Sequence, residues 1–160
     1  MANFFGLDFA FANNGIVILD ENAEIIRQDI IKTTNKQSDE MRLIHIRDYV
    51  ASIIKEEDVV YIEGLSYGSI GLAKAQMSAV HYVIRLLLKE NDIQYKVIAP
   101  TVLKKFVTGK GQCKKNLILL KVFKKWGVEF ASDDLADAYS LARMALEDFK
   151  KEAMEDYKDV

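Results

Sequence analysis

Three short apolar runs near the N-terminus constrain the fold of this chain more than any other feature. Residues 4–10, 16–19 and 25–31 are strand-like, and only a few turn-forming polar residues separate one run from the next. Connections this short favour antiparallel neighbours, because parallel strands need a long crossover. The sequence therefore predicts a three-stranded antiparallel meander. The first strand, which is the most continuously apolar, should be central and buried on both faces.

After Ser38, a good helix N-cap, the pattern changes to alternating helices and strands. A helix is predicted to about residue 55, strands at 59–62 and 93–98, and helices at 72–90, 101–107, 114–126 and 132 to about 154. The order β-β-β-α-β-α-β-α-α-α predicts one α/β domain over residues 1–160: a five-stranded mixed sheet, with three antiparallel meander strands and two parallel strands, flanked by helices. We expect residues from about 148 onward to form a frayed helix end, because they are highly charged.

The composition is that of an ordinary globular protein, with 50% hydrophobic and 29% charged residues. Cys113 is the only cysteine and has no partner for an internal disulfide, and no apolar run approaches the length of a membrane span. No basic leader precedes the first strand. We therefore expect a cytoplasmic protein without a membrane partner.

The net charge of −2 conceals a strong asymmetry along the chain. Residues 93–128 contain nine lysines and no acid, whereas the remainder holds 13 basic and 24 acidic residues. A basic region on an otherwise acidic protein predicts a surface that binds a polyanion such as nucleic acid. The alternative is that these lysines form two solvated helix faces.

Two acidic residues stand at the ends of predicted buried strands. Asp8 follows the apolar residues 4–7, and Glu63 follows residues 59–62 and precedes a glycine. A carboxylate in a central strand is costly unless it is paired or binds a metal ion. If the two strands are parallel neighbours, their carboxylates are close enough to share a cation. The alternative for Asp8 is a strand end that faces solvent. A lone glutamate after a strand, as Glu63 would be without Asp8, usually has no function.

Two further acids, Asp134 and Asp137, are three residues apart near the start of the last helix, so they share one helical face. Asp134 can also be explained as a first-turn carboxylate that the helix dipole favours. Asp137 lies among apolar neighbours and suits a packed face. Like charges at this spacing destabilise a helix slightly unless a cation joins them.

Together, these four carboxylates predict a site for Mg²⁺, or Mn²⁺ in its place, because the ligands are hard oxygens and no cysteine or histidine cluster accompanies them. Two ions bound by carboxylates are one solution for phosphodiester hydrolysis, and this chemistry together with the basic region predicts a metal-dependent nuclease. His45 and His81 lie within predicted helices and are interpreted as structural. The glycine-rich residues 64–71 match no phosphate-binding motif and predict a mobile loop beside the site.

The helix predicted at residues 72–90 is more apolar than one amphipathic face requires. Complete burial in the core would explain this excess. The functional alternative is a subunit interface.

These features resemble the RuvC-type Holliday junction resolvases, especially the short phage-encoded ones, which belong to the RNase H-like superfamily. The resemblance covers most of the chain and rests on Gly6-Leu7-Asp8, Glu63, residues 108–115 and, most specifically, residues 132–142. It implies an RNase H-like fold and a homodimer that cuts two opposed strands of four-way DNA.

The resemblance also assigns roles to individual residues. It implies that Asp8, Glu63, Asp134 and Asp137 are catalytic metal ligands. It implies that Lys104 and Lys115 assist catalysis and DNA contact. We further expect the neighbouring lysines to contact DNA, namely Lys105, Lys110 and Lys114.

The sequence departs from the family pattern at two positions. The Pro-Gly that usually follows the first aspartate is Phe9-Ala10, which predicts a differently built turn into the second strand. An aromatic residue expected three positions after Glu63 is Ser66, and the adjacent Tyr67 is predicted to replace it as a DNA contact.

The leading hypothesis is an Mg²⁺-dependent endonuclease of four-way and other branched DNA that leaves 5′-phosphate and 3′-hydroxyl ends. One alternative is another RNase H-like nuclease, for example one that hydrolyses RNA–DNA hybrids. A second is a non-catalytic DNA-binding or nucleotide-binding module on a related fold. The sequence does not distinguish cleavage preferences or helicase partners.

Overall fold

A computed structural model describes residues 1–66 and 71–159 of the chain. Its elements follow the predicted order: β1 (Phe4–Asp8), β2 (Asn13–Leu19), β3 (Ile25–Lys32), α1 (Asp39–Ile53), β4 (Val59–Glu63), α2 (Leu72–Glu90), β5 (Gln94–Ile98), α3 (Pro100–Thr108), α4 (Lys115–Trp126) and α5 (Asp133–Lys158). None of the helices in this part of the chain is long and apolar enough to cross a membrane.

The five strands form one mixed sheet in the order β3-β2-β1-β4-β5. The strands β1, β2 and β3 pair as an antiparallel meander. The strand β4 pairs in parallel with both β1 and β5. The prediction of three meander strands and two parallel strands is confirmed, as is the central position of β1.

Helices cover the two faces of the sheet and create two hydrophobic cores. One core joins the sheet to α3, α4 and α5, with Tyr139 and Leu141 among its buried side chains. The other core joins the sheet to α1 and α2, with Ile46 and Ile84 among its buried side chains. A sheet packed on both faces explains why the strand β1 is continuously apolar.

The glycine at position 6 allows α5 to lie unusually close to the sheet. A Cβ atom at Gly6 would overlap the backbone carbonyl of Ala138. The helix α5 therefore approaches β1 at the one residue that has no side chain to hold it away. This contact determines how close α5 lies to the sheet near the end of β1.

Several element boundaries differ from the predicted ones. The strand β1 ends at Asp8 and not at residue 10, because Phe9 and Ala10 enter a turn before β2. The helix α5 continues past residue 154 to Lys158, with every side chain from Lys150 to Asp159 exposed. The helix α2 is neither fully buried nor fully exposed, since Val80, Ile84 and Leu88 face the core and Tyr82 and Leu86 face outward.

Candidate active site

The carboxylates of Asp8 and Glu63 stand side by side at the C-terminal end of the parallel strands. The register of β1 and β4 places Leu7 opposite Ile62, so the next residue of each strand is an acid. Both strands are apolar and buried up to that point. The predicted pairing of two strand-end acids is therefore present in the fold.

The helix α5 brings a third carboxylate, that of Asp137, to the same place. Its first turn is capped by Ser132, whose Oγ accepts a hydrogen bond of 3.3 Å from the backbone N–H of Leu135. The close contact between Gly6 and the backbone of Ala138 then places the adjacent Asp137 beside the strand ends. Carboxylate oxygens of Asp8, Glu63 and Asp137 lie within 4.8 Å of one another.

The fourth acid, Asp134, lies further from the centre of this group. It lines the same pocket but is not part of the trio whose oxygens lie within 4.8 Å. Its negative charge still helps to raise the pKa of Asp8 and of Asp137. The start of β2 packs directly against it, because a Cβ atom at Gly15 would lie 2.6 Å from the carbonyl oxygen of Asp134.

Burial and mutual repulsion make these carboxyl groups hard to ionise. Burial, followed by the charge of Glu63, raises the pKa of Asp8 to about 9. Burial, followed by the charge of Asp8, raises the pKa of Asp137 to about 7. Burial and the charge of Asp137 likewise raise the pKa of Glu63. Desolvation and like charge both penalise the ionised form, and together they outweigh the positive charge of the nearby lysines.

Few protein groups relieve this penalty. Within residues 1–66 and 71–159, no backbone N–H donates a hydrogen bond to any of the three carboxylates. The salt bridges formed in these segments also involve other residues. Lys115 is the basic residue whose charge lowers the pKa of all three acids, although it is a minor influence on each.

The residues present fit a divalent cation. Three oxygen donors converge from two strands and a helix, and the negative charge that raises their pKa values is what a bound cation would neutralise. Hard carboxylate ligands without a nearby thiol favour Mg²⁺ or Mn²⁺. The Cys113 thiol lies elsewhere, half-buried, with its Sγ 3.4 Å from the carbonyl oxygen of Lys114.

The acids line an open pocket of about 820 Å³. Of the predicted DNA-contacting lysines, Lys104 and Lys115 also line this pocket. The three others, Lys105, Lys110 and Lys114, are exposed on α3 and on the segment that leads into α4. Tyr67 lies outside the described residues.

The two histidines differ in their surroundings. His45 is exposed on α1. His81 is only 3% exposed, and its ring contacts the edge of Phe9 with centroids 5.8 Å apart. This burial fits the predicted structural role, and the imidazole also lines the pocket. Burial lowers the pKa of His81 to about 4, so the imidazole is neutral near pH 7.

Sequence reasoning missed the role of Asn14, which is completely buried beside the site. Its side-chain Oδ1 accepts hydrogen bonds from the backbone N–H groups of Ala10 and Phe11, at 3.1 and 3.0 Å. The sequence Asn13-Asn14-Gly15 signalled only a turn. The replacement of Pro-Gly by Phe9-Ala10 was the available indication that another group fixes this turn.

A family model described as "Crossover junction endodeoxyribonuclease RuvC" matches residues 5–144. Relatives with the same description share low but extended identity with the chain. The protein of Ehrlichia canis (strain Jake) is 29% identical over 150 residues, which cover 88% of this chain and 93% of that protein. The protein of Rickettsia bellii (strain OSU 85-389) is 26% identical over 148 residues, which cover 88% of this chain and 94% of that protein.

Solved structures share the fold. Thermus thermophilus RuvC superposes with a TM-score of 0.73 at 18% identity, covering 88% of this chain and 90% of that chain. The same enzyme in complex with Holliday junction substrate has a TM-score of 0.73 at 17% identity, with the same coverage. The Fowlpox virus resolvase in complex with Holliday junction DNA has a TM-score of 0.58 at 15% identity, covering 92% of this chain and 99% of that chain.

Proposed function

The chain belongs to the RuvC family of crossover junction endodeoxyribonucleases, and we propose that it cuts four-way and other branched DNA with divalent cations held by its acidic cluster. The observation that carries the proposal is the trio of carboxylates from Asp8, Glu63 and Asp137 within 4.8 Å, partly buried and without hydrogen bonds from the described backbone. Asp134, on the same pocket wall, would complete the ligand set. We propose Mg²⁺, with Mn²⁺ as a substitute, and two ions for each site.

Divalent cations at this position would lower the pKa of the attacking water and stabilise charge on the phosphate. In the hydrolysis, the water oxygen bonds to phosphorus and the bond from phosphorus to the 3′ oxygen breaks. The products are a 5′-phosphate and a 3′-hydroxyl. The strand ends hold Asp8 and Glu63 at fixed positions, and α5 supplies Asp137.

Lys115 and Lys104 extend from α4 and α3 into the same pocket. We propose that Lys115 neutralises charge that develops on the scissile phosphate, since donors aimed at such charge stabilise a transition state. Lys104 and the exposed Lys105, Lys110 and Lys114 would contact the DNA backbone around the cut. Tyr67 remains a predicted DNA contact.

A cleavage assay on three substrates tests this function. Labelled four-way junction, linear duplex and RNA–DNA hybrid are incubated with the protein, with and without Mg²⁺. We expect Mg²⁺-dependent cuts in the junction, and slower cutting of the other two. Preferential cutting of the hybrid would support the alternative of an RNA–DNA hydrolase. Junction binding without cleavage under all metal conditions would support a non-catalytic DNA-binding module.

We also propose that the enzyme is a homodimer, because a symmetric junction requires two coordinated cuts and α2 exposes an apolar surface. Leu86 on this surface is 59% exposed. Sedimentation of Leu86→Glu should show monomers, whereas Leu120→Glu, at a residue of α4 that is 44% exposed, should remain dimeric. Wild-type protein that sediments only as an 18.2 kDa species, even with junction present, would contradict the dimer.

A further inference from the structure

The chain leaves the site through an unusual turn immediately after Asp8. Phe11 adopts a φ of 70°, in the left-handed region that residues with a Cβ atom rarely occupy. The backbone N–H of Ala12 also donates to the carbonyl of Ala10, 2.9 Å away, which tightens the turn. A bulky residue keeps such a conformation only where surrounding contacts hold it.

Asn14 supplies these contacts with all of its side-chain polar atoms. Its Oδ1 accepts the N–H groups of Ala10 and Phe11, two and three residues beyond Asp8. Its Nδ2 donates to the carbonyl oxygens of Phe11 and Ile31, both at 3.0 Å. The side chain is 0% exposed, so these bonds form without competition from water.

A second layer of polar groups supports the same turn. The hydroxyl of Thr33 donates to the carbonyl oxygen of Phe11 at 2.6 Å. The Nε of Arg42 donates in turn to this hydroxyl at 2.9 Å, and its guanidinium lies 3.9 Å above the Phe11 ring centre. Both side chains are buried. The chain Asn14–Thr33–Arg42 thus links the start of β2, the end of β3 and α1 to one turn.

The position of this network gives it a role in the site. Asp8 pairs with Gly15 in the register of β1 and β2, and Gly15 packs against the backbone of Asp134. Asn14 therefore lies between the turn that follows one acid and the strand residue that touches another. The ionised carboxylates that would bind a cation repel one another, so groups outside the cluster must hold their positions.

We propose that Asn14, supported by Thr33 and Arg42, is a positioning residue that holds Asp8 in place for metal binding. The proposal rests on the proposed function for its cleavage readout, but Mg²⁺ binding can be measured without it. Groups that orient a metal ligand without touching the metal typically change metal affinity or activity by roughly 10-fold to 100-fold.

The test compares two ends of the sheet with matched variants. Asn14→Ala and Thr33→Val remove the network, and Thr33→Ser keeps the hydroxyl. Asp58→Ala is the control, because Asp58 is also buried and also accepts two backbone N–H groups, at the other end of the strands. The melting temperature and the single-turnover cleavage rate are each measured as a function of Mg²⁺ concentration. Junction affinity is measured in EDTA.

We expect Asn14→Ala and Thr33→Val to need about 10-fold more Mg²⁺ for half of the maximal effect in both titrations. Thr33→Ser should resemble wild type, and junction affinity in EDTA should not change in any of the variants. Asp58→Ala should melt lower but keep the wild-type Mg²⁺ midpoint. If Asn14→Ala does not fold, the Thr33 pair decides the matter.

The proposal is overturned if Thr33→Val and folded Asn14→Ala, like Asp58→Ala, lose stability but keep the wild-type Mg²⁺ midpoint. A wild-type protein that is stabilised by Mg²⁺ but cuts no junction would instead contradict the proposed function. The shift in the melting titration would still test the role of Asn14 in that case.

Discussion

Acids occur at both ends of the parallel strands, completely buried at one end and partly buried at the other, in opposite environments. Near the start of β4, the carboxylate of Asp58, only 1% exposed, accepts hydrogen bonds of 2.9 Å from the backbone N–H groups of Asn3 and Lys55. At the far end of the same strand, Glu63 lies with Asp8 and Asp137 in a cluster to which no described backbone N–H donates.

The difference distinguishes an acid that stabilises the fold, Asp58, from acids whose mutual repulsion the rest of the fold must overcome. A buried carboxylate that accepts two N–H groups contributes to stability, because these charge-assisted bonds are strong enough to offset the lost bonds to water. A partly buried cluster of ionised carboxylates repels itself and lowers stability, which is typical of a site that binds a cation. Each of the following predictions either breaks this contrast or makes it sharper.

The largest effect is expected from removing one charge at each end. Asp8→Asn should reduce the cleavage rate by at least about a thousandfold, or roughly 4 kcal/mol, because it removes a metal ligand at the reacting phosphate. Junction affinity should persist. Asp58→Asn should instead cost about 1–3 kcal/mol of stability and leave the cleavage rate per folded molecule unchanged. Wild-type cleavage by Asp8→Asn would refute the metal site.

Lysines beside the acidic pocket should also differ from lysines far along α5 in their contribution to DNA binding. Each lysine–phosphate contact adds about 0.9 to the slope of log affinity against log salt concentration. The double variant Lys104→Gln/Lys105→Gln, beside the pocket, should therefore reduce that slope by about 2. The control Lys150→Gln/Lys151→Gln, on the exposed end of α5, should not change it. Equal effects of the two pairs would remove the lysine-rich region from the DNA surface.

Stability without metal should fall as the pH rises above 7. The folded-state pKa of Asp8 is raised to about 9 from an ordinary value of 3.8, so the folded protein keeps a proton that the unfolded chain has already lost. This stabilisation is complete below pH 4 and is lost as the pH rises through 9. In EDTA, the melting temperature should decline between pH 7 and 9.5, whereas Asp8→Asn should show a smaller decline.

The pH range matters because His81 acts in the opposite direction at lower pH. Its folded-state pKa is lowered to about 4 from 6.5, so the protein gains stability from this group as the pH rises to about 6.5. Saturating Mg²⁺ should reduce the decline above pH 7, since the ion binds the ionised cluster in the folded state only. A metal-free melting temperature that rises from pH 7 to 9.5 would contradict the assigned pKa of Asp8.

Most of the fold could be predicted because local signals agreed with the global topology. Short polar connections determined the meander, and the apolar character of β1 determined its central place. The end of β1 was wrong by two residues because Phe9 and Ala10 continue the apolar pattern into a turn that Asn14 holds from outside the strand. The end of α5 was wrong because residues 150–155, although mostly charged, are all good helix formers.

The only parts of the site that could be predicted are those that follow from strand pairing and from the spacing of residues along a helix. Parallel pairing brings Asp8 and Glu63 together whatever their surroundings, and helical spacing puts Asp134 and Asp137 on one face. The outer position of Asp134 depends on how α5 packs against β1 and β2, where two glycines allow close contact with the helix backbone. The role of Asn14 depends on partners up to 17 residues away, which spacing along the chain does not reveal.

The smallest change in stability, and the most discriminating one, is expected from Asp137→Asn. The pKa of Asp137 is raised to about 7 by burial, and then by the charge of Asp8, so its ionisation weakens the metal-free fold as the pH rises from 4 to 7. Asparagine has nearly the same shape and does not ionise. The variant should therefore melt a few degrees higher than wild type in EDTA at pH 8, since each kcal/mol is worth about 2–4 °C in a domain of this size. His81 is present in both proteins, so its contribution cancels.

The gain should shrink toward zero as the pH is lowered to 4, where Asp137 of wild type is protonated in the folded state. Added Mg²⁺ should raise the melting temperature of the variant less than that of wild type, and the variant should not cleave junctions. An ordinary structural carboxylate would behave as Asp58 does, because its loss removes hydrogen bonds. A lower melting temperature in EDTA together with retained cleavage would therefore place Asp137 with Asp58 among the acids that stabilise the fold, and would leave Asp8 and Glu63 to bind the metal without it.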